Sequence, residues 1–171
     1  MKIYPLPGLF IHVLATLFFV LKCISGFTSE LPNENITYDP SVKTIQVYKE
    51  GFELASPIIQ LNSTERLVIS FDDLDPEIKR YKFTILHCES DWQISAELLP
   101  SDFIDGYREE NIDQFEYSYN TTVKYTHFKA AFPTENMRPK ISGNYLLVVY
   151  EDEPSSRAFT CLLYTSDAAD E

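Results

Sequence analysis

The feature that most constrains this chain is an alternation of apolar and polar residues, broken about every ten residues by turn chemistry. VKTIQVY (42–48) sets Ile45 and Val47 against Thr44 and Gln46. RLVISFD (66–72) sets Leu67, Ile69 and Phe71 against Val68, Ser70 and Asp72. RYKFTILHC (80–88) sets Tyr81, Phe83, Ile85 and His87 against Lys82, Thr84, Leu86 and Cys88. QFEYSYN (114–120) continues with Phe115, Tyr117 and Tyr119, and HFKAAF (127–132) with Phe128, Ala130 and Phe132. Successive side chains of a strand point to opposite faces, so a period of two marks a half-buried strand. PIIQL (57–61) opens on a proline, as edge strands do. NYLLVVYE (144–151) is apolar on both faces and reads as a central strand. Asp39-Pro40, Lys49-Glu50-Gly51, Asp75-Pro76, Pro133 and Ser142-Gly143-Asn144 supply the breaks. No long stretch carries a helical period; SAELLPSDF has room for one helical turn, broken by Pro100. The pattern predicts an all-β chain, a single antiparallel β-sandwich of immunoglobulin or fibronectin type with about seven strands, over residues 41–160.

What precedes the sandwich reads differently. Lys2 is followed by LFIHVLATLFFVL (9–21) and then by the small residues Cys23, Ser25 and Gly26, the order of a secretory signal peptide over residues 1–27. The apolar run is shorter than the roughly 20 residues that span a bilayer. Residues 28–40 form a polar segment. The formal charge of −12 becomes −14 once Lys2 and Lys22 leave with the leader. That charge excludes nucleic acid and anionic lipid as natural partners. At the other end, CLLYTSDAADE (161–171) resembles translated sequencing-adapter read-through, which places the natural course of the domain before it. Cys88 is then the one dependable cysteine, so no disulfide framework supports the fold.

ILHCESDW (85–92) concentrates residues that carry chemistry elsewhere. In a strand His87 and Cys88 point to opposite faces, which separates a thiol from its base. A zinc site needs three or four converging ligands, and no second Cys/His cluster exists. The stretch reads as the end of a strand, with a packed cysteine and a histidine hydrogen-bonded near the rim. SFDDLDPE (70–77) gathers Asp72, Asp73 and Asp75 without calcium-loop spacing, and reads as a turn with solvated acids. With 26 acids in the chain, no carboxylate pair is singled out for glycoside cleavage. No phosphate loop, nucleophile elbow or basic patch is present. The reading is of a non-enzyme with no catalytic, cofactor or metal residues.

The connection 89–113 is too long for an ordinary turn. It holds eight acids against one base, Arg108, together with Trp92, Phe103 and Tyr107. Aromatic anchors inside a charged rim are the composition of a protein interface. The charge keeps the connection solvated, while its aromatics must pack on the sandwich, one end of which Trp92 is of a size to plug, or on a partner. Trp92, Phe103, Asp105 and Tyr107 are the expected partner-contact residues.

Taken together, YDPSVKTIQVY (38–48), SFDDLD (70–75), YKFTILHCESDW (81–92), LLPSDFIDGY (98–107), QFEYSYNT (114–121), YTHF (125–128) and ISGNYLLVVYE (141–151) resemble the N-terminal domain of the type IX secretion system plug family of Bacteroidetes. The resemblance covers about residues 36–160. It implies a periplasmic, β-rich protein without catalytic activity that seals the periplasmic opening of an outer-membrane translocon through protein–protein contacts, with no membrane insertion after signal cleavage. It carries over no catalytic or metal residues, and family members continue into further β domains. The competing expectation is a secreted carbohydrate-binding sandwich, since 14% of the chain is aromatic. Against it, the alternation sends most of those aromatics inward.

Overall fold

A computed structural model describes residues 34–167. The signal segment expected over 1–27 and the first part of the polar segment 28–40 lie outside the described residues. Among those described, no helix is long and apolar enough to cross a membrane.

The described residues are all-β. The strands are β1 (Ile36–Thr37), β2 (Val42–Lys49), β3 (Ile58–Gln60), β4 (Leu67–Asp73), β5 (Tyr81–Cys88), β6 (Ile104–Gly106), β7 (Glu110–Asn111), β8 (Gln114–Tyr117), β9 (Thr126–Phe132), β10 (Met137–Pro139), β11 (Gly143–Glu151) and β12 (Arg157–Ser166), with one helical turn, α1 (Pro100–Phe103). One sheet has the order β1-β12-β11-β5-β7, with β3 added in parallel along β12; a second has the order β2-β4-β9-β8; β10 and β6 form a small third. All seven runs read as strands in the sequence become strands, QFEYSYN only over its first four residues. The additional ones are two- or three-residue pieces and β12.

The two main sheets share one core. Tyr81, Phe83 and Ile85 of β5, Tyr145, Leu147 and Val149 of β11, and Phe159 and Leu163 of β12 meet Leu67, Ile69 and Phe71 of β4 and Phe128 and Phe132 of β9. Phe71 lies at the centre of an aromatic cluster, 4.9 Å from Tyr81, 5.2 Å from Phe128 and 5.1 Å from Phe159 between ring centroids. Offset and edge-on rings of this kind add about 0.5–1.5 kcal/mol per pair beyond the area they bury. β11 is central, as its two apolar faces require: β12 flanks one side and β5 the other.

The expected long acidic loop is replaced by short, paired elements. The chain turns back on β5 through a Cys88–Ile94 bridge, makes α1, pairs β6 with β10, and pairs β7 with β5. Pro100 begins the helical turn instead of breaking it, because a first-turn proline gives up no intrahelical bond. The Asp102 carboxylate accepts a hydrogen bond from the Leu99 N–H at 2.8 Å, closing that turn. Residues 161–166, expected to be foreign to the domain, occupy ladder positions in β12, with Leu163 opposite Tyr145 and Thr165 opposite Gly143.

Candidate functional site

β5 delivers His87 and Cys88 to the start of a tight hairpin. The Trp92 N–H donates to the Glu89 carbonyl at 2.9 Å, and the Glu89 N–H donates to the Gln93 carbonyl at 2.7 Å. Trp92 takes a left-handed conformation there, with φ at 66°. Glycine or asparagine ordinarily fills such a position, and a side chain in it costs roughly 1–2 kcal/mol. His87 Nδ1 lies 2.7 Å from Ser95 Oγ, and its ring stands edge-on to Tyr145 at 5.3 Å. Gly143 is required beside it: its φ is 142°, and a Cβ there would lie 2.9 Å from His87 Nε2. Cys88 is buried on the other side of the strand, and burial pushes its thiol up to about 11. A protonated thiol facing away from the imidazole is not an activated nucleophile.

Two of the acids of SFDDLDPE, Asp73 and Asp75, gather around an internal ammonium, while Asp72 lies 2.6 Å from His127 Nδ1 and Glu77 stays exposed as expected. Lys79 Nζ lies 2.9 Å from Asp39, 3.3 Å from Asp75 and 3.5 Å from the fully buried Asp73. The Tyr81 hydroxyl donates to Asp73 at 2.8 Å. Burial alone would lower the Lys79 pKa, but its hydrogen bond to Asp39 and the charges of Asp73 and Asp39 raise it above the ordinary lysine value. Burial alone would raise Asp39, but hydrogen bonds from Lys79 and Ser41 hold it below the ordinary carboxylate value. The cluster is a structural lock between the chain entering β2 and the turn after β4.

The residues expected at a partner contact separate into two groups. Phe103 is 4% exposed and packs between His87 and Tyr145, with ring centroids 6.1 and 6.3 Å away. It belongs to the core, because α1 folds its aromatic under the hairpin, and it drops out of the contact set. Asp105 and Tyr107 stay outside, Tyr107 being 66% exposed, and Trp92 is half-buried. Gly106 makes this presentation possible. At φ 98° the chain runs so close to Asn136 that a Cβ would sit 2.0 Å from its carbonyl oxygen, and the Tyr107 N–H donates to that same oxygen.

A second surface was not expected from the alternation. β8 is the outermost strand of its sheet, and its aromatics are not covered: Phe115 is 43%, Tyr117 60% and Tyr119 93% exposed. The Phe115 and Tyr117 rings touch edge-on at 5.6 Å, and Phe115 leans on the buried Phe128 at 5.9 Å. Phe115 also lines an open cleft of about 340 Å³ with Tyr81, Ile112 and the exposed Ile78. The aromatics of β4, β5, β9 and β11 turn inward, as the alternation requires, but those of β8, at the edge of its sheet, stay exposed. Its outward position leaves no mark in a period of two.

The family described as type 9 secretion system plug protein, first domain, matches residues 42–164. Among solved structures, a hypothetical protein from Parabacteroides merdae is 32% identical with a TM-score of 0.73, over 77% of this chain and 33% of that one. The chain therefore spans about a third of that relative's length. A Pseudomonas fluorescens alkylpurine DNA glycosylase, AlkC, bound to DNA with an abasic site analog, aligns over 73% of this chain and 30% of that one, at 11% identity and a TM-score of 0.41. No curated protein matches.

Proposed function

This chain belongs to the type 9 secretion system plug protein family, of which it carries the first domain, and from that membership we propose that it is a non-catalytic component of type IX secretion acting in the periplasm. In this reading a cleaved signal delivers the chain across the inner membrane. The folded sandwich then closes the periplasmic opening of the outer-membrane translocon through protein–protein contacts. The family match over 42–164 carries the reading. The surface chemistry supports it: the Cys88 thiol is buried and its pKa pushed up, His87 is engaged with Ser95 and His127 with Asp72. Tyr107, Tyr117 and Tyr119 stand exposed, with Asp105 and Glu116 beside them and without an ion pair among the described residues. Asp105 and Tyr107, with Trp92 at the hairpin tip, form one part of the contact surface.

The test is co-purification of the 171-residue chain with detergent-solubilised translocon, followed by pore conductance in planar bilayers. The expected result is a complex whose conductance falls when the chain is added. Tyr107→Ala should weaken the complex while leaving the melting temperature within about 2 °C. A translocon that neither retains the chain nor changes conductance with it would refute the reading. The exposed Tyr117 and Tyr119 favour one competitor, glycan binding, and a glycan array with strong, saturable hits would replace the proposal with it.

A further inference from the structure

The two edges of the four-stranded sheet are built differently. β2, at one edge, is broken by a bulge between Lys43 and Gln46, where Thr44 has φ at 52°, and it carries Lys43 and Lys49. Bulges and lysines are the ordinary protection of an edge against pairing with another chain. β8, at the other edge, reads Gln-Phe-Glu-Tyr, with no bulge, proline or lysine, and no described strand lies beyond it.

The register tells which backbone groups are open. The Ser118 N–H donates to the Tyr125 carbonyl at 2.9 Å, in line with the ladder that sets Tyr117 opposite Thr126 and Glu116 opposite His127. Antiparallel residues alternate between bonding their partner and pointing away. Ser118, Glu116 and Gln114 therefore turn their main-chain groups toward β9, while Phe115 and Tyr117 turn theirs outward. Their side chains share one face, and Glu116 occupies the other.

We propose that β8 is a strand-addition site for an extended protein segment in which apolar residues alternate with lysine or arginine. The segment's main chain would bond the outward groups of Phe115 and Tyr117. Its apolar side chains would cover the Phe115 and Tyr117 rings, and its cations would fall on the face of Glu116. Charge selects this occupant. Glu116 and Asp113 are exposed and without an ion pair among the described residues, Lys129 is the only lysine or arginine in β9, and the whole chain carries −12. That field attracts a basic segment and repels a second copy of the chain. The proposal rests on the secretion reading only for the source of the segment, the translocon.

The test is amide hydrogen exchange by NMR on the full 171-residue chain, with the peptide Ac-Lys-Val-Lys-Val-Lys-Val-NH2 and its glutamate counterpart as probes. The basic peptide should slow exchange at Phe115 and Tyr117 by about tenfold or more, while Glu116, already bonded to β9, changes little. Tyr117→Pro removes one outward N–H without touching the β9 ladder and should weaken the peptide about tenfold; Tyr117→Thr, which keeps that N–H, should weaken it no more than about threefold. Protection appearing elsewhere, equal binding of the acidic peptide, or no binding at millimolar concentration each overturns the proposal, and the wild-type exchange pattern decides even where Tyr117→Pro fails to fold. Protection of the same amides without peptide, growing with protein concentration, would make the occupant a second copy. Peptide binding without translocon co-purification refutes the secretion reading and leaves the edge; the reverse refutes the edge.

Discussion

Phe115 on β8 and Phe128 on β9 are directly opposed across the ladder, with ring centroids 5.9 Å apart, yet Phe128 is 1% exposed and Phe115 43%. Two neighbours separate them in energy: Phe128 also stacks on Phe71 and meets Tyr81 edge-on at 5.0 Å, while Phe115 has no ring contact with the opposite sheet among the described residues. Phe128→Ala should cost about 3–5 kcal/mol, the range for a buried phenylalanine. Phe115→Ala should cost less than about 1.5 kcal/mol, since roughly half of its surface is already in water. Urea denaturation of the two variants measures both. Equal losses would place Phe115 inside the core.

Trp92 and Phe103 invert the usual ranking of aromatic importance. The indole is half-buried and held at φ 66°; the phenyl ring is buried in a relaxed position between His87 and Tyr145. Trp92→Gly loses part of an aromatic's burial but releases roughly 1–2 kcal/mol of left-handed strain, so stability should change by less than about 1 kcal/mol. Phe103→Ala should lose about 3–5 kcal/mol. Circular dichroism melts compare the two, since Trp92→Gly removes the only tryptophan fluorophore. A loss above about 3 kcal/mol in Trp92→Gly would mean that the indole is a core anchor.

These pairs show what alternation reveals and what it hides. β5 and β11 were legible because their apolar residues recur over eight and nine positions. His87 and Cys88 were legible as a strand end, because a period of two places adjacent residues on opposite faces. The exposure of Phe115 was not, because Phe115 and Phe128 carry the same local pattern and differ in position: β9 is an inner strand where Phe71 and Tyr81 reach Phe128, and β8 is the edge. β6 and β7, of three and two residues, are too short to show any period and exist through pairing with β10 and β5. The Lys79 lock was hidden by distance: Asp39 stands 40 residues before the ammonium it binds.

Lys79→Met should cost about 3–5 kcal/mol near pH 7, since it strands the buried Asp73 without its cation. The pH dependence has a definite sign. Asp39 lies below its ordinary 3.8 in the fold, so its contribution is present above that value and is lost as pH falls through the lowered one. Lys79 lies above its ordinary 10.5, so its share is full below that value and is lost only as pH rises through the raised one. The wild-type advantage over Lys79→Met should therefore be widest between about pH 5 and 10 and narrow in acid. Urea titrations near pH 7 and near pH 3 check this. An undiminished gap in acid would show that the lysine stem, not its charge, holds the loop.

Gly106 and Gly51 both have positive φ, at 98° and 80°, but only one is crowded. An added Cβ at Gly51 meets nothing within 4 Å, so Gly51→Ala should cost only the left-handed penalty, about 1–2 kcal/mol. At Gly106 the same carbon would lie 2.0 Å from the Asn136 carbonyl oxygen, a backbone atom that cannot swing aside. Gly106→Ala must push β6 away from β10, opposite which it pairs Gly106 with Met137. Met137 is fully buried, so the separation also opens the core. A loss of more than about 3 kcal/mol is expected, with the Tyr107 N–H, now hydrogen-bonded to Asn136, exchanging faster. Calorimetry of the two variants gives the stability difference, and NMR exchange at Tyr107 gives the local one. Equal melting temperatures would show that the 104–107 segment relaxes freely, and Tyr107 would then be presented by a yielding strand instead of a rigid one.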